Sequence, residues 1–345
     1  MSPSIRKIAI ATTAMTAGFF AAAPTMARPM SMRALAAQEL RLTTIAYRIA
    51  TKNVQACPTR AAVSGLVLHD LSRYDQALRP AIARAFSVNG GIGILGVVPG
   101  SVADQAGLRV DDEILTVGPY SVQDKQAYSR PKSFAQMENF DRILQSAMAY
   151  GATSITIRRQ GVQLRVPLRA AYGCGGTLTL TNDANSNAWA DGRNVLITTG
   201  MTGMSKSEDE IAFVIAHEMA HNILGHVGGT GERRGIFGSR GVKRAEIAAD
   251  DYAVELMSNG GYSPAAGIAF LENARRRMFW SFSLDHPGFG RRIATVRVAI
   301  QRIQARHMEM AGILPANQRS AERRLAHDLM KNEGPAPALL LRSGS

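Results

Sequence analysis

The stretch that most constrains this chain is AFVIAHEMAHNILGH, at positions 212–226. Ser207 and Glu210, just before it, form a capping box with acidic residues in the first turn, and Gly225 is a natural helix stop. We therefore predict a helix over 211–224. Its apolar residues cover nearly every side, which is typical of a buried helix. Two histidines and a glutamate buried there without partners would be costly, so the stretch predicts a site that satisfies them.

His217 and His221 are the first candidates for metal ligands. Residues four apart on a helix project from one face, which is the geometry that two ligands of one tetrahedral zinc ion need. Glu218, one step round the helix, can reach a water molecule on that zinc without binding the metal itself. The alternative is that all three are polar residues of a core helix, each with its own hydrogen-bond partner.

A third protein ligand must come from elsewhere in the chain. The metzincin pattern HExxHxxGxxH fails, because Leu224 and Val227 stand where its glycine and third histidine should be. His226 comes one position too early, and we interpret it as a residue of the helix end or the site rim. In RAEIAADDYAVELM, Glu246 and Asp250 are four apart on a second predicted helix and share a face. Glu246 can be the carboxylate ligand, and Asp250 can hold a ligating histidine by its other ring nitrogen; the alternative is two surface acids.

HEMAH followed by EIAAD resembles the zinc peptidases of the CAAX prenyl protease and HtpX type, metallopeptidase family forty-eight, in the gluzincin group. NAWA (187–190), VLITTGM (195–201) and HPGFGRRI (286–293) match three further elements of that family in the same order. Members in membranes carry spanning helices, some of them between HEMAH and EIAAD. Here that interval holds a basic, glycine-rich loop (227–244), so the chain resembles the soluble, exported branch, and we do not expect a prenylated substrate.

The resemblance implies a zinc endopeptidase with one Zn²⁺ per chain, in which substrate lies extended beside the strand 194–199. Carried over residue by residue, it assigns the zinc ligands His217, His221 and Glu246, the catalytic residues Glu218 (general base) and His286, and the supporting residues Asp250 and Arg292. For His286, a role in capping a turn is the alternative.

Residues 61–172 resemble a PDZ domain of the bacterial, protease-associated kind. The resemblance rests on VPGS (98–101), AGL (106–108) and DEIL (112–115), with Asp111 where the family has glycine. It implies a peptide groove walled by a helix at 133–150, to which an extended peptide adds as a strand. The predicted carboxylate-binding loop consists of Ser64, Gly65, Leu66 and Val67. A spacer of PDZ shape that binds nothing is the alternative.

The chain has two cysteines, Cys57 and Cys174, which flank the PDZ-like segment. The ends of a compact domain often lie close together, so we predict a disulfide between them. Export favours this pairing, because disulfides persist in oxidising compartments. The prediction of export rests on residues 1–27, where Arg6 and Lys7 precede an apolar run too short to span a membrane. We expect cleavage after Ala27 and a periplasmic protein, with a retained N-terminal anchor as the alternative.

These features predict the α+β fold class: a mainly helical zincin-type domain with a small edge sheet, preceded by a β-rich PDZ domain. The predicted organisation is a signal peptide (1–27), an N-terminal helical segment (28–60) with a helix at 38–54, a PDZ-like domain (61–172), a zinc metallopeptidase domain (175–312), and a C-terminal helix with a loose tail (313–345).

The formal net charge of +13 adds a constraint on partners. An exported chain rarely meets nucleic acid, so we expect protein or peptide substrates and peripheral contact with an anionic membrane surface; a solvated basic face is the alternative.

We predict an exported zinc endopeptidase for the quality control of envelope proteins, in which the PDZ module binds substrate or regulates the activity. Two other hypotheses are a periplasmic chaperone or assembly factor with latent protease activity, and a PDZ adaptor with a degenerate peptidase domain. The sequence does not predict the oligomeric state.

Overall fold

Among the described residues, all strands lie between residues 60 and 198, five consecutive helices follow them, and the strands form three separate sheets. The structure is a computed structural model that describes residues 31–58, 60–226, 239–277 and 288–311. Four predicted features lie outside these residues: the signal peptide (1–27), most of the basic loop (227–238), His286, and the C-terminal helix and tail (313–345).

The helices of the described residues include the predicted zinc helix, α6. In chain order they are α1 (Met32–Lys52), α2 (Arg79–Phe86), α3 (Val102–Gln105), α4 (Ala135–Met148), α5 (Thr199–Met204), α6 (Glu208–Ile223), α7 (Ser239–Asn259), α8 (Ala265–Arg277) and α9 (Phe289–Met310). In this part of the chain, no helix is both long and apolar enough to cross a membrane.

The strands are β1 (Arg60–Val63), β2 (Leu66–His69), β3 (Ile92–Val97), β4 (Glu113–Val117), β5 (Tyr120–Ser121), β6 (Ala152–Arg159), β7 (Val162–Arg169), β8 (Ala171–Cys174), β9 (Leu178–Thr181), β10 (Ala188–Ala190) and β11 (Val195–Thr198). An antiparallel sheet has the order β2-β3-β4-β6-β7, with β5 on β4. A second sheet has the order β10-β11-β9, and β1 pairs with β8. Helices and largely antiparallel strands in one chain are the predicted α+β class.

The sheet of β2–β7 falls within the segment predicted to be PDZ-like, and it packs against α4. Strands β6 and β7 form a hairpin around Gly161, whose φ of 83° suits a tight turn. Asp111 also has a positive φ, 67°. That backbone favours glycine, and aspartate is among the few other residues that tolerate it. The backbone conformation at this position is thus one that both the usual glycine of the PDZ pattern and the aspartate of this chain can adopt.

The predicted disulfide between Cys57 and Cys174 is present, and both cysteines are buried. It lies at the end of the β1–β8 ladder, in which Arg60 is paired with Cys174. β1 leads into the large sheet and β8 leads out of it towards β9. The disulfide therefore joins the two ends of the PDZ-like segment.

Helix α1, at Met32–Lys52, is longer than the helix predicted at 38–54, and it packs into the core. Its buried residues Leu42, Ile45 and Ile49 share one hydrophobic cluster with Phe213 and other residues of α6. The same helix also contacts β2 and β3 of the large sheet. The spacing of apolar residues within one helix does not show what that helix packs against.

Replacing Ile49 by Ala tests whether α1 is part of this core. Ile49 is fully buried, so we expect Ile49→Ala to lower the free energy of unfolding by about 2–5 kcal/mol, measured by urea denaturation. Val298→Ala is the matched control, since Val298 lies on α9 and is 42% exposed; it should cost under about 0.5 kcal/mol. Equal effects of the two substitutions would show that α1 does not pack as described.

Candidate metal site

Helix α6 begins earlier than predicted, at Glu208, and its capping follows the sequence pattern. The Oγ of Ser207 accepts a hydrogen bond from the backbone N–H of Glu210 (3.1 Å), and the Glu210 carboxylate accepts one from the N–H of Lys206 (2.8 Å). Every residue from Glu210 to His217 is buried. The helix thus carries His217 and His221 into the interior, where only 7% and 9% of their surface is exposed.

Three side chains converge in the way that a tetrahedral metal ion requires. The Nε2 atoms of His217 and His221 are 3.1 Å apart, and each lies 3.4 Å from an oxygen of Glu246. Ligands about 2.0–2.1 Å from a tetrahedral zinc ion are separated from one another by about 3.3 Å. The three residues therefore fit a metal ion, and in the described chain they form a His/Glu group capable of holding one.

Glu246 reaches α6 because helix α7 packs closely against it. Ala249 and Ala253 of α7 are fully buried, and such small side chains let two helices approach each other. Asp250, one turn after Glu246, is also fully buried. The alternative of two surface acids is therefore wrong for this pair.

Asp250 joins the cluster to a third helix, α9. Its carboxylate lies 3.0 Å from Nδ1 of His217 and accepts two hydrogen bonds of 2.7 Å from Arg292. Arg292 also lies 3.6 Å from Glu246. The structure thus brings together five predicted site residues, His217, His221, Glu246, Asp250 and Arg292, while His286 lies outside the described residues.

The charges of this cluster favour a divalent cation. Three carboxyl groups, those of Glu218, Glu246 and Asp250, interact with one guanidinium, that of Arg292, so acidic groups outnumber the arginine in this cluster. Burial by itself would lower the pKa of His217, but the carboxylates of Asp250 and Glu246 raise it to about 10. A site that stabilises a cationic imidazole to this extent also attracts a metal cation, which would displace the proton.

Glu218 lies on the same helix between the two histidines. Burial raises the pKa of its carboxyl, and the neighbouring His217 and His221 only partly offset this rise. Arg292 also lowers this pKa and Glu246 raises it. A buried carboxyl group of raised pKa beside the candidate ligands is the type of group that can accept a proton from a reacting water molecule.

His226 is not part of the ligand group, in agreement with the failed metzincin spacing. Its Nδ1 lies 3.1 Å from Nδ1 of His221, the ring nitrogen of that residue that does not face His217 and Glu246. Burial, together with a smaller effect of the neighbouring His221, lowers the pKa of His226 to about 4. The sequence indicated a histidine near the site but not this contact.

The expected position of an extended substrate is corrected by the sheet order. We predicted docking beside 194–199, but β11 (Val195–Thr198) is the central strand, paired with β10 on one side and β9 on the other. Its backbone groups are therefore already paired. β10 is an edge strand that contacts α6, so an added strand can pair with β10.

The predicted PDZ loop lines a cavity of about 850 Å³ that is separate from the metal site. Ser64, Gly65, Leu66 and Val67 contribute to one wall, and α4 contributes another. The cavity is also lined by α1, by β9, by the turn between β10 and β11, and by Met219 and Asn222 of α6. The loop therefore faces the elements that carry the candidate metal site.

Three side chains able to hold a metal ion, with a glutamate next to one of them in the sequence, are the arrangement that hydrolytic zinc sites use. Residues 176–236 match the sequence model described as Peptidase family M48, a segment that includes HEMAH but ends before Glu246. This match supports a zinc metallopeptidase of that family.

Other comparisons add little. No curated protein matches the chain. One solved structure, described as "HtrA-type protease AlgW with decapeptide", is 16% identical, and the match covers 33% of this chain and 30% of that chain with a TM-score of 0.25. The matched region is thus about a third of that protein, and at this score the likeness does not establish a shared fold.

Replacing Arg292 by Met tests whether the ion pair between Arg292 and Asp250 stabilises the fold and orients the candidate ligand His217. Removing one partner of a buried ion pair leaves Asp250 uncompensated, so we expect a loss of about 3–5 kcal/mol in unfolding free energy, measured by urea denaturation without metal. Zinc affinity should also fall by about 10–100-fold, since His217 loses its oriented partner. The control is Arg291→Met at the exposed neighbouring residue. An effect no larger than that of the control would contradict the assigned role.

Proposed function

We propose that this chain is an exported zinc endopeptidase that cleaves proteins of the cell envelope as part of their quality control. The observation that carries the proposal is the convergence of His217, His221 and Glu246 at tetrahedral ligand distances beside Glu218. The family match over 176–236 supports the same activity. The proposed ligands hold one Zn²⁺ per chain.

In the proposed mechanism the chain's own residues bind substrate, hold the ligands and move a proton. Zinc held by His217, His221 and Glu246 would lower the pKa of a bound water molecule and polarise the carbonyl group of the substrate. Glu218 accepts the proton of that water, and its raised pKa suits a base that must later give the proton to the leaving amine. Asp250 and Arg292 keep the His217 ring oriented. We also propose that His286 assists at the carbonyl oxygen.

The edge strand β10 is the proposed docking strand for substrate. An extended peptide that pairs beside Ala188–Ala190 uses only backbone groups, so it needs no free terminus close to the cleaved bond. This mode of binding favours endopeptidase over exopeptidase activity. Trp189, which is 38% exposed on this strand, offers an aromatic surface to substrate side chains.

Export is supported by the predicted signal peptide (1–27) and by the disulfide Cys57–Cys174, since such bonds persist in oxidising compartments. The basic composition favours peripheral contact with anionic membrane surfaces. We place the mature protein in the periplasm, where proteins of the envelope are its substrates.

We further propose that the 850 Å³ cavity is the groove of a PDZ domain (61–172) and binds an extended peptide beside β2. β2 is an edge strand that lines the cavity, and the exposed ring of Phe134 lies at its rim. A volume of this size is typical of ligand pockets.

The turn between β10 and β11, in the proposed peptidase domain (175–312), contacts both α4 of this groove and α6. Asp141 of α4 forms an ion pair with Arg193 in the turn between β10 and β11. Asn222 of α6 holds the same turn, accepting a hydrogen bond from Gly192 (2.7 Å) and donating one to Asn194 (3.0 Å). A peptide that moves α4 therefore acts on the turn that ends the docking strand, which suits a regulatory role.

Replacing Glu218 by Gln is the central test of the activity. The substitution removes the base but none of the three ligands, so we expect zinc content near that of the wild type and a loss of casein cleavage of at least about 100-fold. Glu208→Gln, at the exposed start of the same helix, is the control and should leave both unchanged.

Undiminished cleavage by purified Glu218→Gln protein would refute the mechanism. A zinc-loaded wild-type protein that cleaves nothing, yet prevents aggregation of unfolded client proteins, would instead favour the chaperone hypothesis.

Replacing Phe134 by Ala tests the groove. We expect it to weaken binding of a fluorescent peptide with an apolar, free C-terminus by about tenfold, or ~1.4 kcal/mol, in anisotropy titrations. Tyr150→Ala, at an 89% exposed aromatic residue that does not line the cavity, should have no effect. An amidated peptide should bind more weakly if the loop 64–67 receives a carboxylate. Identical affinities for the wild type and Phe134→Ala would exclude this peptide site.

A further inference from the structure

The end of helix α6 places a third histidine against the ligand His221. Gly225 has a φ of 68°, its N–H donates to the carbonyl of Asn222 (3.2 Å), and the N–H of His226 donates to the carbonyl of His221 (3.0 Å). This is the Schellman arrangement, which needs a residue in the left-handed region just past the helix, most often glycine. The turn of the backbone at Gly225 therefore places His226 next to His221.

The two rings meet at their edges. Their Nδ1 atoms are 3.1 Å apart, the ring centroids are 5.1 Å apart, and the planes are inclined by 71°. The contact is therefore that of a hydrogen bond between ring nitrogens and not of stacked faces.

The protonation state of a metal ligand dictates which ring donates. A neutral imidazole has one N–H and one nitrogen lone pair. His221 presents Nε2 to His217 and Glu246, so its lone pair must be at Nε2 and its proton at Nδ1. Nδ1 of His226 is the atom positioned to accept that proton.

Each ligand histidine therefore has its own partner. Nδ1 of His217 lies 3.0 Å from the carboxylate of Asp250. Nδ1 of His221 instead contacts the imidazole of His226. Partners of this kind fix the tautomer and the orientation of a ligating ring, and their loss usually weakens metal binding.

We propose that His226 is a positioning residue for the metal site: its Nδ1 accepts the Nδ1 proton of His221 and so holds that ring in its ligating tautomer and orientation. The inference rests on the proposed function only in taking Zn²⁺ as the metal. It goes beyond that function by giving a role to a residue that is not itself a ligand.

The test is the zinc affinity of the full chain, measured by competition with a chromophoric chelator. His226→Ala removes the acceptor, so we expect affinity to fall by about 10–100-fold. His226→Gln supplies a carbonyl oxygen that can accept the same proton, and we expect it to recover most of this loss. His307→Ala, at an exposed histidine of α9, is the control and should bind zinc as the wild type does. Circular dichroism verifies that each variant is folded.

The outcomes separate this inference from the proposed function. His226→Ala protein that binds zinc within about twofold of the wild type would overturn the inference, even if the wild type is an active peptidase. A loss in His226→Ala that His226→Gln does not recover would also overturn it, since hydrogen-bond acceptance is the proposed role. Weakened zinc binding with recovery by Gln supports it, even if no cleavage of any substrate is found, in which case the proposed function alone fails.

Discussion

The candidate site depends on the buried carboxylate of Asp250. It lies on α7, accepts two hydrogen bonds from Arg292 of α9, and contacts Nδ1 of His217 on α6. A fully buried carboxylate without such partners is strongly destabilising, so the three helices must pack where these side chains meet. Arg292, despite its burial, has a raised pKa because Asp250 and Glu246 surround it. One interaction therefore sets both the packing of the helices and the geometry of the ligands.

A second buried acid connects the two parts of the molecule. Glu39 of α1 accepts a hydrogen bond from the N–H of Leu180 on β9 and lies 3.7 Å from Arg73, which donates to the carbonyl of Leu68 on β2. Burial raises the pKa of Glu39, although Arg73 opposes the shift. Edge strands of two different sheets are thus held on either side of one helix. The cavity that is shared by the PDZ-like loop and the elements around α6 follows from this arrangement.

Local features were predicted well because their causes are local. The capping residue Ser207 and the glycine at 225 bounded α6, and the spacing within HEMAH and EIAAD placed two pairs of side chains on common helix faces. The docking strand was predicted wrongly. Strand order is set by pairing between segments distant in sequence, and an apolar strand such as Val195–Thr198 does not show whether one or both of its edges are paired.

The sequence by itself determined which residues can bind a metal, which one can act as a base, and that Cys57 and Cys174 are candidates for one disulfide. Helix periodicity and side-chain chemistry are sufficient for these conclusions. Only the tertiary structure decided that α1 belongs to the core, that β10 is the open edge, and that His226 contacts His221 on the side away from the other ligands. Each of these depends on packing between elements, and packing is determined by the whole chain rather than by any one segment.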